Sequence, residues 1–346
     1  MMIAFGPISS RRLGKSLGIN NIPPKHCSYG CVYCQVGRTD HMNIKRKEFY
    51  PPEKIVADVK TRIEQIYRKK GQIDYLSFVP DGEPTLDIHL GEEIRLLKPL
   101  GFKIAVFTNA SLIWRKDVKY ELLNADWVSL KIDTVIKDTW RKIDRPYGKL
   151  SLDRILEGIL AFASEFSGFL ATETMLVKGL NDDIDSITEI AKFLKKLQPW
   201  LSGAYLAVPT RPPSEPWIEA PQEETIYQAY RIFKKQFDRV ELLITEDETE
   251  FGFTGNAEED LLRTTAVQPM TEEAVDELLE KDHAHWDTIH KLIARGCLRE
   301  IRYRDNRFYM RRFTKRKKKK GARHESTKGK RCHEAANIRS VGRLAH

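Results

Sequence analysis

Short apolar runs alternate with longer amphipathic stretches from about residue 15 to residue 245. This rhythm is the signature of repeated βα units wrapped around a parallel sheet. It predicts strands at 17–19, 75–79, 103–108, 127–132, 170–177 and 204–208, with a seventh at 240–244. Helical spacing fills the gaps at 52–67, 91–97, 116–123, 152–163, 184–197 and 223–237. The Pro51-Pro52-Glu53 start of the first of these suits an opening helical turn. Six βα repeats predict an α/β partial barrel over residues 1–250.

After Gly255 the pattern changes to three short helices, at 258–262, 271–280 and 286–294, and two strand-like runs at 298–303 and 307–312. Arg304-Asp305-Asn306 makes a turn between those runs, because Asp and Asn tolerate tight-turn geometry. Residues 255–313 therefore read as a small winged-helix-like domain. Thr271 ahead of Glu272 and Glu273 marks a helix start, a hydroxyl cap followed by acids in the first turn. Beyond it, 314–346 is Lys/Arg-rich and weakly hydrophobic, which predicts a disordered basic tail.

The net charge of +9 is unevenly spread. Residues 311–346 hold 14 Lys and Arg against Glu325 and Glu334, whereas residues 1–310 hold 44 basic and 47 acidic side chains. The body is thus near neutral, and the basicity belongs to the tail. With 41% hydrophobic and 31% charged residues the chain is globular in type, and no apolar run is long enough for a bilayer. The first residues lack a secretory pattern, so a cytoplasmic location is expected.

Five cysteines are present, three of them within eight residues. An odd, clustered set in a chain with no secretory pattern points to metal or redox chemistry rather than a disulfide framework. Cys27, Cys31 and Cys34 form a C-x3-C-x2-C segment just after the first predicted strand. Three thiolates on a four-iron cluster leave one iron open for a substrate or cofactor. Gly30 lets the backbone wrap closely around an inorganic core. The competing reading is zinc, which needs a fourth ligand. His26 is the neighbour available, although adjacent residues rarely reach one tetrahedral ion.

The triplet, with Tyr33 just before its last cysteine, resembles the signature of the radical S-adenosylmethionine (SAM) superfamily. A second match follows the next strand. Asp81-Gly82-Glu83-Pro84 is similar to that family's Gly-Gly-Glu-Pro motif, with Asp81 in place of the first glycine. The resemblance implies a TIM-like partial (βα)6 barrel, one [4Fe–4S] cluster on Cys27, Cys31 and Cys34, and SAM seated with the help of Gly82 and Glu83. It also makes Asn109, Ser129 and Lys131, at or near strand ends, contacts for the cofactor or substrate. An electron donor such as ferredoxin or flavodoxin is implied as a partner. The segments at 6–18 and 209–213 narrow the likeness to iron–sulfur oxidoreductases grouped with the wyosine-synthase, tRNA-modifying family. That enzyme resembles a two-cluster protein needing three further cysteines. Here Cys297 and Cys332 remain, which implies a single cluster.

Glu173, Met175 and Arg211 are further strand-end candidates; for Glu173 a polar barrel interior is an equal explanation. In the C-terminal hairpin, Arg299, Arg302, Arg304, Arg307, Arg311 and Arg312 alternate with Tyr303, Phe308 and Tyr309. Such a surface suits RNA, with the tail adding charge, or equally a unit packed on the barrel. The expected activity is therefore SAM cleavage with hydrogen abstraction from an unidentified substrate, RNA among the options. The alternative is an iron–sulfur redox sensor that binds nucleic acid.

Overall fold

The computed structural model describes residues 3–244 and 252–312. An eight-stranded sheet carries the larger part. Its strands are β1 (Ala4–Ser10), β2 (Gly14–Ile19), β5 (Tyr75–Phe78), β6 (Lys103–Thr108), β7 (Trp127–Lys131), β8 (Phe169–Met175), β9 (Leu201–Ala207) and β10 (Val240–Leu243), adjacent in that order. The last seven are parallel, and β1 is antiparallel to β2 at the edge. Two short strands, β3 (His26–Cys27) and β4 (His41–Met42), pair with each other in the long connection between β2 and β5.

Helices α1 (Pro52–Arg68), α2 (Leu90–Leu97), α3 (Lys116–Leu122), α4 (Lys137–Ile143), α5 (Leu152–Ala163), α6 (Ile184–Leu197) and α7 (Glu223–Lys234) form the crossovers. Alternation along the strands separates two apolar sets. Leu76, Phe78, Ile104, Val106, Val128 and Leu130 pack with helix residues such as Ile55, Ile94 and Ile159. Their neighbours Ala105, Trp127, Ala171 and Tyr205 pack with Leu13 on the concave side. The sheet is thus a partial barrel of the expected class, filled at one end by side chains.

Besides the two-residue strands, two elements escape the sequence pattern. Strand β1 contains Gly6-Pro7 and a register shift between Phe5 and Ile8, tolerable because it is an edge strand. Helix α4 buries only Trp140 and Ile143, too little for a periodic signal.

The C-terminal region has α8 (Ala257–Val267), α9 (Glu272–Lys281) and α10 (Asp287–Ala294), then β12 (Leu298–Tyr303) and β13 (Asn306–Arg311). A two-residue strand, β11 (Met270–Thr271), completes a three-stranded sheet in the order β11-β13-β12. Helix α8 is longer than its pattern suggests. The Thr271 hydroxyl caps α9 by accepting from Ala274 N at 3.2 Å. Leu261, Val275, Leu278, Ile289 and Leu292 form a second apolar core. The basic tail and Cys332 lie outside the described residues.

Candidate active site

The connection leaving β2 is folded on itself by the β3–β4 pairing, which aligns His26 with His41 and Cys27 with Met42. Cys31 and Cys34 lie in the enclosed loop, where Cys34 N donates to Cys31 O at 3.1 Å and Gly37 N to Cys34 O at 3.0 Å. All three thiols are free and partly exposed. The ring of His26 stacks on His41 at 4.4 Å and meets Phe49 edge-on, so it is occupied in packing rather than offered as a fourth ligand. Among the described residues no three His, Cys, Asp or Glu side chains converge on a point suited to one ion. A multi-iron cluster instead takes each thiolate at a different iron, and separated thiols fit that demand. Burial pushes the Cys27 thiol up to about 12 and Cys31 well above the ordinary range, so ligation has to supply the charge that favours thiolate.

The Asp81–Pro84 turn locks onto this loop. Lys25 N donates to Asp81 O at 2.9 Å and Glu83 N to His26 O at 3.1 Å. Gly82 is required for this approach, since a Cβ there would overlap the His26 carbonyl oxygen. The Glu83 carboxylate is 1% exposed. Its Oε1 accepts from Thr108 Oγ1 at 2.6 Å and Thr85 Oγ1 at 2.5 Å, and its Oε2 from Asn109 N at 2.8 Å. These bonds fasten the turn to the end of β6. Asn109 continues the chain of contacts, its amide donating to Ser28 Oγ at 2.9 Å and approaching Cys27 Sγ at 3.5 Å. Asp81 differs sharply. It is 3% exposed with neither carboxylate oxygen hydrogen-bonded, and burial pushes its acid up to about 8 despite nearby Lys25 and Arg311.

Deeper in the mouth, Lys131 Nζ pairs with Glu173 Oε1 at 2.9 Å while Arg12 reaches Glu173 Oε2 at 2.5 Å. The Arg12 guanidinium lies over Phe107 and Tyr205, so it enters the barrel from the β1–β2 turn. The two cations hold the Glu173 acid down at about 2 despite burial. Lys131 also lies over the Tyr33 ring at 4.8 Å. Tyr33 OH donates to Asp133 and, at 3.3 Å, to Asp144 Oδ1. Cys31 Sγ donates to that same Asp144 oxygen at 3.4 Å. Burial and mutual repulsion raise the Asp144 acid well above its ordinary value.

The Radical SAM superfamily pattern matches residues 21–194, half of the chain. The chain is 48% identical to a UPF0026 protein of Methanocaldococcus jannaschii over 320 residues, 92% of this chain and 98% of that one. This protein belongs to the radical SAM superfamily. A UPF0026 protein of Helicobacter pylori is 36% identical over 56% of this chain and 63% of its own length. Among solved structures, a radical SAM methyltransferase from Sphaerobacter thermophilus aligns with a TM-score of 0.51 at 17% identity, covering 67% of each chain, which supports the fold alone. The chain is accordingly a radical SAM enzyme, a class that uses a [4Fe–4S] cluster and SAM and requires an electron donor. No helix among the described residues is long and apolar enough to cross a membrane.

For this radical SAM enzyme the structure links Glu83, Asn109 and Cys27 by contact and sets the Gly82 turn on the His26 carbonyl, while Cys31 and Cys34 share a backbone hydrogen bond farther along the same loop. Lys131, at the end of β7, meets the cysteine loop through the Tyr33 ring, and Ser129 lies two residues earlier on that strand, 3% exposed. Arg211 reaches the cysteine loop by donating to Gln35 Oε1 at 3.3 Å. Sequence reasoning missed Arg12, whose partner is 161 residues away, and Asp144, which follows the unrecognised α4.

The C-terminal hairpin buries Phe308, Tyr309 and Met310 and leaves Arg299, Arg302, Arg304, Arg307 and Arg312 exposed, with several contacts to the rest of the protein. Tyr303 OH and Arg304 Nη2 donate to Pro209 O at 3.2 and 2.9 Å, and Arg311 Nη1 donates to Leu262 O at 2.7 Å. Arg299 Nη2 meets Met310 Sδ at 3.2 Å, and Arg307 approaches Glu272 at 3.5 Å. Gln35 Nε2, within the cysteine loop, donates to Val267 O of α8 at 3.1 Å. These contacts tie the hairpin to the barrel and to α8 while most of its arginines stay exposed.

Proposed function

We propose that Cys27, Cys31 and Cys34 ligate a single [4Fe–4S] cluster, that the Asp81–Pro84 turn seats SAM beside it, and that the substrate enters the barrel mouth. Bound there, the pair supplies reductive cleavage of SAM and the 5′-deoxyadenosyl radical used for hydrogen abstraction. The carrying observation is that three free cysteines share a loop braced directly by the Gly82–Glu83 turn and Asn109. The protein's own contribution is positional. Glu83 and Asn109 fix the turn against the cysteine loop, and Arg12, Glu173 and Lys131 form a linked set of charges in the mouth, with Asp133 acting on Lys131 as well.

The substrate is read as a molecule that presents a C–H bond to this mouth. RNA draws its support from the basic tail; the hairpin lends less, because most of its arginines have internal partners. A cytoplasmic setting fits reduced cysteines and an oxygen-sensitive cofactor.

Anaerobic reconstitution tests the assignment. Four irons and four sulfides per chain are expected, with 5′-deoxyadenosine formed from SAM once dithionite is added. Cys31→Ala should lose the cleavage. A fully loaded protein that never cleaves SAM would sink the proposal.

A further inference from the structure

The face outside the cysteine loop is unlike the rest of the body. Residues 1–310 are slightly acidic overall, yet 137–149 carry Lys137, Arg141, Lys142, Arg145 and Lys149, all exposed, although Arg145 is paired with Glu215 at 2.6 Å. Of the two acids in that stretch, Asp138 is exposed and Asp144 is buried against Cys31 and Tyr33. The folding geometry therefore exports the positive charge and hides half of the negative.

This basic segment is bonded to the residues around Cys31. Gly30 N donates to Asp144 O at 2.9 Å, Val32 N to Ile143 O at 2.9 Å, and Tyr147 N to Ser28 O at 2.9 Å. A Cβ built on Gly30 would meet Met42 at 3.0 Å and Arg145 at 3.7 Å, so an exposed methionine and an exposed arginine flank the loop there. A cavity of about 240 Å³ sits in the same face, walled by Trp140, Arg141, Arg145, Pro146, Tyr147 and Leu150 among others. A recess walled by arginines and aromatic rings, with lysines around it, suits a protein surface carrying carboxylates, which such a field attracts and orients.

We propose that α4 and the turn following it form the docking surface for an acidic one-electron carrier protein. The inference rests on the assignment of Cys31 as a cluster ligand, because that is what gives a partner on this face a short route to the cluster. The exchange is a single electron: the reduced carrier is oxidised by one, the cluster is reduced by one, and no bond or proton moves. A nucleic acid would answer to the same charge but gains nothing from standing beside Cys31.

The test uses the reconstituted full chain and reduced ferredoxin as the probe. In Lys137→Glu/Arg141→Glu/Lys142→Glu, cluster reduction by ferredoxin, followed by stopped-flow absorbance, should slow at least about tenfold at low salt. The wild-type rate should fall as salt rises. Dithionite-driven SAM cleavage, iron content and melting temperature should match the wild type, since dithionite needs no docking. The milder Arg141→Gln/Lys142→Gln should give an intermediate rate. Ferredoxin rates unchanged by the charge reversal would overturn the docking face, as would a parallel loss of ferredoxin- and dithionite-driven activity. Displacement of ferredoxin by single-stranded RNA would reassign the face to nucleic acid. A wild type that loads no iron would instead remove the cluster assignment, and the docking face with it.

Discussion

Two carboxylates of the barrel, the buried Glu83 and the partly exposed Glu173, are stabilised in opposite ways. Among the described residues Glu83 has no cationic partner; hydroxyls and backbone N–H groups satisfy it, and burial outweighs them to raise its acid above the ordinary range. Glu173 is clasped by Arg12 and Lys131, which drive its acid down to about 2. The difference separates a joint from a field. Neutral donors fix the position of the turn and add no net charge, whereas two cations clasp one carboxylate at Glu173, with Asp133 acting on Lys131 in turn.

The sharpest way to break the comparison is to remove the joint. Glu83→Ala leaves two hydroxyls and the Asn109 N–H without their acceptor in a buried site, a cost of about 4 kcal/mol. Melting of the iron-free protein should show it, and iron uptake should fall because Asn109 no longer braces Cys27. Unchanged melting would mean the turn is held by other contacts. Glu173→Gln should cost about 3 kcal/mol at neutral pH, the equivalent of its lowered acid. A lowered acid contributes stability above its unfolded value near 4.3 that is lost as pH falls through about 2. The variant should therefore flatten the acid limb of a stability-against-pH curve between about 4 and 2.

Asp81 gives the opposite sign. Its acid is raised to about 8, so the fold loses stability as pH rises from the unfolded value near 3.9 through about 8. Asp81→Asn should melt higher than wild type by at least about 4 °C at pH 8, with the gap closing toward pH 4. A gap independent of pH would point to shape rather than charge. The smallest effect is expected from Thr85→Val, which deletes one of the hydroxyl donors to Glu83 for about 1 kcal/mol. Thermal melting of this variant beside Glu83→Ala checks whether the donors act as a set.

The parallel strands of the barrel and the cysteine loop were legible because their signals are local: apolar runs at strand spacing, and a triplet within eight residues. What could not be read depends on distant pairings. Arg12 looks like a surface arginine until the sheet closes and brings Glu173 to it. Gly82 reads as an allowance for the cofactor, and its structural duty is toward the His26 carbonyl. Asp144 is one acid among many until Cys31 and Tyr33 fold against it. Helix α4 needed tertiary packing of Trp140 to become visible. The hairpin arginines show the converse: their pattern suggested a phosphate track, and carbonyl groups on the barrel and the neighbouring helix took up two of them.

Arg62 on α1 is 1% exposed, its guanidinium shared between Gly6 O and the fully buried carboxylate of Asp260 on α8. Arg62 and Asp260 thus meet only because the first helix of the barrel and the first helix of the C-terminal region are brought together. Replacing either partner alone leaves the other charge buried without its counterion, which costs several kcal/mol. The pair is therefore a bolt between the two parts: a fault at Asp260, far from the barrel in sequence, is expected to loosen the barrel's own first helix.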